Sequence, residues 1–253
     1  MYKNSPVSDM NQFIKPIIIA TLILLLPPVA VLMAGWQWQP MGEYLWLEIL
    51  YWITNTSGEP WCYLVFLFFI LGLLLLFATS ARQGGILVAI VMGLLLTGQG
   101  IKVLVKNTTK EPRPYVVWLE KNYRVPTDEF YQHQRKQRAE LLQRYLKADD
   151  RIPQWQLTHW KRETGYAFPS GHTLFAASLS LLLVGFLWPR RRYILSIIVT
   201  IWAVCVLISR MALGMHWPQD IITSTLISAV LVIVICYLTE KWRLINDKKD
   251  LAV

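Results

Sequence analysis

Cysteine is scarce in this chain of 253 residues: Cys62, Cys205 and Cys236 are odd in number, far apart and all inside apolar runs, which leaves no disulfide framework and no cysteine metal site. Charge is scarce too, at 16% of residues against 55% hydrophobic, and mean hydropathy is positive. Such a composition excludes an ordinary soluble domain of this size. No internal repeat or low-complexity tract divides the sequence, so a single membrane domain over 1–253 with one long insertion is the simplest organisation. Nor does any carboxylate cluster suggest a metal.

What is present is a set of apolar runs of about 20 residues, which at roughly 1.5 Å per residue match a hydrocarbon core about 30 Å thick. Six stretches qualify: Pro16 to Gly35, Trp61 to Thr79, Gly85 to Val105, His172 to Trp188, Tyr193 to Met215, and Ile221 to Leu238. The first is too long for a signal h-region and carries Pro27-Pro28 in mid-span, so it reads as a retained, kinked helix. The expected fold is therefore all-α, a six-span bundle.

The net charge of +9 is distributed unevenly, and Lys and Arg favour cytoplasmic loops. Lys3 and Lys15, Arg82, Arg190-Arg191-Arg192, and Lys241, Arg243, Lys248 and Lys249 all flank one set of span ends, whereas Trp36 to Pro60 contains Glu43, Glu48 and Glu59 and no Lys or Arg. Both termini are thus expected in the cytoplasm. The basic segment Lys106 to Gly171 falls on the outer side as an insertion, long enough to escape the charge rule. Within it, Thr127-Asp128-Glu129 reads as an N-cap and acidic first turn of a helix running to about Lys147. Phe130, Leu141, Leu142 and Tyr145 would form its apolar side, and Arg135, Lys136, Arg138, Arg144 and Lys147 would either meet anionic headgroups or form a solvated face. Trp36, Trp38, Trp61, Trp188 and Trp217 fall near span ends and read as an aromatic belt. No nucleic acid or obligate protein partner is implied; membrane phospholipid is.

Three patterns then land on the outer side: K-x6-RP (Lys106, Arg113, Pro114), PSGH (Pro169 to His172) and R-x5-H-x3-D (Arg210, His216, Asp220). The span assignment did not use them, so their convergence is an independent result. Ser170 suits an N-cap and Pro218 a first helical turn, placing two helix N-termini, with unpaired N–H groups and positive dipole ends, at one anion site. Gly171 allows close backbone approach. Lys106, Arg113 and Arg210 add positive charge, with Ser170 and Gly171 completing a phosphate cage. A neutral histidine whose other nitrogen meets a carboxylate is a competent nucleophile, which fits His216 with Asp220. His172 is left as general acid and then base. Taken singly, each motif is weak or moderate and a lone histidine is more often structural; their joint order carries the argument. Lys102, one turn before Lys106, either snorkels or touches ligand, and Glu163 either orients a histidine or binds a headgroup. His133 and His159 lack such partners and are expected to face solvent.

With these residues in place the chain resembles the type 2 phosphatidic acid phosphatase family, which shares its phosphate-binding core with vanadium haloperoxidases and bacterial acid phosphatases. The family's first motif corresponds to Lys106, Arg113 and Pro114, its second to Pro169 through His172, and its third to Ser209, Arg210, His216 and Asp220. The wider strings GQGIK, EPRPYVVWLEK, ETGYAFPSGHT and LGMHWPQD resemble a Gram-negative inner-membrane branch. The resemblance implies a cofactor-free lipid phosphatase, its site facing the periplasm, for phosphatidylglycerol phosphate, undecaprenyl diphosphate and related lipids. Transfer to an acceptor other than water, or headgroup binding and flipping without chemistry, are the rival readings.

Overall fold

The computed structural model describes residues 6–241, and over these the protein is helical with no strand. Lys3, Arg243, Lys248 and Lys249 lie outside the described residues. The elements in order are α1 (Pro6–Met33), α2 (Leu45–Asn55), α3 (Trp61–Phe77), α4 (Ala81–Thr109), α5 (Pro114–Tyr123), α6 (Thr127–Gln132), α7 (Arg135–Leu146), α8 (Gln154–Arg162), α9 (Gly171–Leu187), α10 (Tyr193–Ala212) and α11 (Pro218–Lys241).

Four helical segments are long and apolar enough to cross a membrane: Asn11–Met33, Ala81–Lys106, Tyr193–Ala212 and Pro218–Thr239. Two further apolar helices, Trp61–Phe77 and Gly171–Leu187, are 17 residues each, at the short end of the spanning range. Both are apolar all round, yet they sit in opposite environments. Every residue of α9 from Thr173 to Leu187 is buried, because α1, α4, α10 and α11 surround it. Helix α3 leaves Leu64, Leu67, Phe68, Leu71 and Leu75 exposed, as a lipid-facing helix does.

Lipid tails are as apolar as leucine, so helices associate there through close packing and hydrogen bonds. Helix α9 supplies both. A methyl group on Gly185 would stand 3.0 Å from Ile17 Cδ1 and 3.1 Å from Cys236 Sγ, so glycine lets α1 and α11 close on it. Ser178 Oγ donates to Ser228 Oγ at 3.0 Å across the α9–α11 contact.

A second core stands at one end of the bundle, built from Trp38, Leu47 and Tyr51, the helices α5 to α8, and the α10–α11 turn. Tyr115, Phe130 and Trp160 are wholly buried in it, and outside the bilayer each such side chain is worth about 2 to 3 kcal/mol. The helix expected over Thr127 to Lys147 is two helices broken at His133 and Gln134, and Thr127 does not cap it. Thr127 is the first helical residue, and its hydroxyl donates to Glu120; the cap of α7 is a reciprocal box between Gln134 and Gln137. Phe130 and Leu142 pack inward against the protein, and Tyr145 stays exposed. Arg138 also turns inward, donating to the carbonyls of Tyr131, His133 and Thr164, while Lys136 and Arg144 remain exposed.

Candidate active site

The α10–α11 turn holds its shape through long-range donors. A helix leaves its last carbonyls without intrahelical partners, and here indoles supply them: Trp38 Nε1 donates to Ala212 O at 2.8 Å and Trp160 Nε1 to Leu213 O at 2.9 Å. Tyr115 N donates to Gly214 O at 3.1 Å. Gly214 has φ +69°, and Trp38 lies where its side chain would be, so only glycine fits. Trp38, expected in an aromatic belt, is thus a buried clamp, and Trp217 Nε1 donates to Pro112 O at 2.8 Å. Trp36, Trp61 and Trp188 stay exposed.

From this turn His216 Nδ1 meets Asp220 Oδ2 at 3.1 Å. Asp220 is the third residue of α11, and the same oxygen accepts from Trp217 N at 3.0 Å, half of a capping box that fixes the carboxylate. Pro218 occupies the first helical position, where its missing N–H is not needed. Burial, reinforced by Arg113, Arg210 and Lys106, holds the His216 imidazole well below its usual pKa and therefore neutral. A neutral ring that donates from Nδ1 to Asp220 keeps a lone pair on Nε2.

Arg113 caps α5 ahead of Pro114, and its Nε donates to Gly165 O at 2.7 Å and its Nη1 to Met215 O at 3.3 Å. It therefore braces the residue before His216. Lys106, in the last turn of α4, brings Nζ to 3.9 Å from the point a Gly165 methyl would occupy, and Lys102 Nζ comes to 3.4 Å from the corresponding point on Gly171. Ser170 caps α9: its Oγ accepts from Thr173 N at 3.4 Å and from Thr173 Oγ1 at 2.9 Å, which leaves its own proton to donate. His172 follows two residues later, with Nε2 only 2.7 Å from where a Gly58 methyl would stand.

The centre of this arrangement is Glu163. Its Oε2 accepts from Arg210 Nη2 at 2.7 Å and lies 3.5 Å from Arg113 Nη1, while Oε1 lies 3.4 Å from His172 Nε2 and 3.7 Å from His159 Nε2. Burial opposes ionisation of this carboxyl, but the Arg210 and Arg113 guanidiniums outweigh it and hold its pKa well below the usual carboxylate range. One anion thus neutralises a buried cationic cluster whose members would otherwise be costly to desolvate.

His159 corrects the sequence reading, because it is buried and not solvent-facing; its Nε2 lies 3.2 Å from Arg210 Nη1 and its ring meets Tyr51 edge-on. His133 is half-buried. Sequence reasoning also missed Thr54 on α2, whose Oγ1 accepts from Arg210 Nη1 at 3.0 Å. Nothing in the local sequence marked Thr54. For His159 a signal existed: His159 and Glu163 have the same spacing of four as His216 and Asp220.

Burial, opposed by Glu163 and reinforced by Arg210, lowers the His159 pKa to about 3. An unfolded histidine protonates near 6.5, so between these values the unfolded chain binds more protons and stability falls as pH falls. Glu163 adds the same sign below its ordinary range. At pH 5 the His159 contribution is about 2 kcal/mol. The thermal midpoint of detergent-solubilised protein should therefore drop between pH 7 and 5, and more steeply than that of His159→Gln; parallel curves would refute the assignment.

Helices of spanning length and a buried cluster of arginine, histidine and carboxylate side chains at one end of the bundle mark a helical membrane protein. The chain belongs to the PAP2 superfamily, whose profile matches residues 84–244, and it is a hydrolase of that family. It is 44% identical to phosphatidylglycerophosphatase B of Escherichia coli (strain K12) over 224 residues, 88% of each chain. Phosphatidylglycerophosphatase B of Haemophilus influenzae is 34% identical over 229 residues, 87% of this chain and 94% of that one. The crystal structure of a transmembrane PAP2-type phosphatidylglycerolphosphate phosphatase from Bacillus subtilis shares the fold, with a TM-score of 0.52 and 19% identity over 95% of this chain and 98% of that chain.

Proposed function

We propose that the protein hydrolyses phosphatidylglycerol phosphate, undecaprenyl diphosphate and related lipid phosphates at the periplasmic face of the inner membrane. In this reading six helices span the bilayer, α1, α3, α4, α9, α10 and α11, with both termini cytoplasmic and 106–171 as the periplasmic insertion. The placement of the motifs supports it. Lys106 lies in the last turn of α4, Ser170 caps α9, Arg210 lies in the last turn of α10 and Asp220 in the first turn of α11, whereas Arg82 and Arg190 to Arg192 flank the opposite ends of those helices.

The observation that carries the chemistry is the His216–Asp220 contact at 3.1 Å beside the arginines. His216 Nε2 attacks phosphorus, forming an N–P bond as the P–O bond to the lipid breaks, and His172 gives its proton to the leaving oxygen. Water then attacks the phosphohistidine, His172 takes the proton, and the N–P bond breaks. Lys106, Arg113, Arg210, the Ser170 hydroxyl and the N-terminal turn of α9 at Gly171 hold the equatorial oxygens, the role a metal often fills. Lys102 and Glu163 are accessory, Glu163 yielding its place on the arginines to phosphate. No cofactor and no obligate protein partner enter the scheme.

Detergent-purified protein is expected to release phosphate from phosphatidylglycerol phosphate and undecaprenyl diphosphate at rates unchanged by EDTA. A requirement for added magnesium would contradict the metal-free cage, and folded protein silent on both lipids would contradict the reading.

A further inference from the structure

Arg210 is wholly buried, and a guanidinium has only donors. Its partners are therefore all acceptors, and they come from two separated parts of the chain: Thr54 Oγ1 on α2 at 3.0 Å, and, at the end of α8, His159 Nε2 at 3.2 Å and Glu163 Oε2 at 2.7 Å. Thr54 and His159 share one nitrogen, Nη1, and together fix the plane of the fork. Nε of Arg210, also buried, has no hydrogen-bond partner among the described residues.

We propose that His159, with Thr54, is a positioning residue that aims Arg210 at the transferring phosphoryl group. The proposal rests on the reading of Arg210 as a phosphate ligand. Because Arg210 cannot accept, His159 accepts at Nε2 and carries its proton on Nδ1, so a neutral imidazole is required. The surroundings enforce that state: His159 is buried with Tyr51 against its ring, Arg210, Arg113 and Arg162 disfavour a second proton, and Glu163 at 3.7 Å is the charge that opposes them.

When substrate arrives, Glu163 gives up Nη2 to phosphate. Only the two acceptors on Nη1 then keep the guanidinium from turning. The external helices α2 and α8 thereby have a task in the reaction: they hold an arginine that belongs to a membrane helix. A small error in placing a charge-stabilising group costs up to about a hundredfold in rate, so the effect of losing an acceptor is measurable.

The test uses full-length protein in detergent, with orthovanadate as a probe of the phosphoryl site. His159→Leu is expected to lower kcat/KM about tenfold to a hundredfold, mainly in kcat, and to weaken vanadate inhibition by the same factor. His159→Gln, which puts an amide oxygen near the position of Nε2, should stay within about threefold of wild type. In an Arg210→Ala background, His159→Leu should weaken vanadate no further. Equal losses for the leucine and glutamine variants, a wild-type vanadate constant in folded His159→Leu, or an added loss in the Arg210→Ala background would each overturn the proposal. Should His159→Leu not fold, Thr54→Val must weaken vanadate and Thr54→Ser restore it; failure of either overturns the proposal. Vanadate binding unchanged in Arg210→Ala would defeat the phosphate-ligand reading itself, whereas a defect there with His159→Leu unaffected would defeat this inference alone.

Discussion

Phosphate release by His216→Ala should fall at least about a thousandfold on every lipid substrate, with the protein still folded by size exclusion and thermal melting. The size follows from the chemistry. In the proposed mechanism no N–P bond forms without the imidazole, and water would have to attack directly in a cage arranged for a nucleophile on the protein. His216 sits at the end of a turn that Trp38, Trp160 and Tyr115 hold from outside, so truncating its side chain leaves those bonds in place. Asp220→Asn tests the second half of the pair: an amide turned to donate can no longer accept the Nδ1 proton, and the tautomer with a free Nε2 lone pair loses its support. Retention of activity within about tenfold by His216→Ala would remove the covalent mechanism.

The second large effect separates two kinds of leaving group. A monoester such as phosphatidylglycerol phosphate expels an alkoxide, which needs a proton as it departs. A prenyl diphosphate expels a phosphate whose second pKa is about 6, already a good leaving group at neutral pH. In the proposed mechanism His172, at the start of α9 with Nε2 near Gly58 and 3.4 Å from Glu163 Oε1, is the proton donor. His172→Ala should therefore slow monoester hydrolysis by about a hundredfold to ten-thousandfold, the range of general-acid catalysis, and diphosphate hydrolysis by much less. Initial rates on the two lipids, compared as kcat/KM for wild type and variant, decide it. Equal losses would mean that His172 serves only to bind phosphate or to activate water.

Much of the site was legible before any coordinates because its residues sit in short strings. Ser170 as an N-cap, Pro218 at a first helical position and the His216–Asp220 spacing depend on contacts no more than four residues apart, and all three hold in the structure. The reading failed where function depends on distant partners. His159 appeared solvated because its own neighbours in sequence gave no reason to bury it, while Arg210, whose guanidinium it meets, is 51 positions away. Thr54 is 156 positions from the same guanidinium, inside an ordinary amphipathic helix. Trp38 looked like a membrane anchor and instead closes over Gly214, 174 positions from the carbonyl of Ala212 that its indole satisfies.

By itself the sequence determined the helical class, the apolar runs of membrane length, and the motif residues with their common end of the bundle. Those follow from composition, the 1.5 Å helical rise and the bias of basic loops, which act locally. Only the tertiary structure decided which apolar helix is central, that Glu163 joins Arg210, Arg113, His172 and His159, and that residues of α5 and α8 brace the α10–α11 turn. A buried guanidinium or an end-of-helix carbonyl must find a partner, but nothing in its own stretch of chain says where in the fold that partner is.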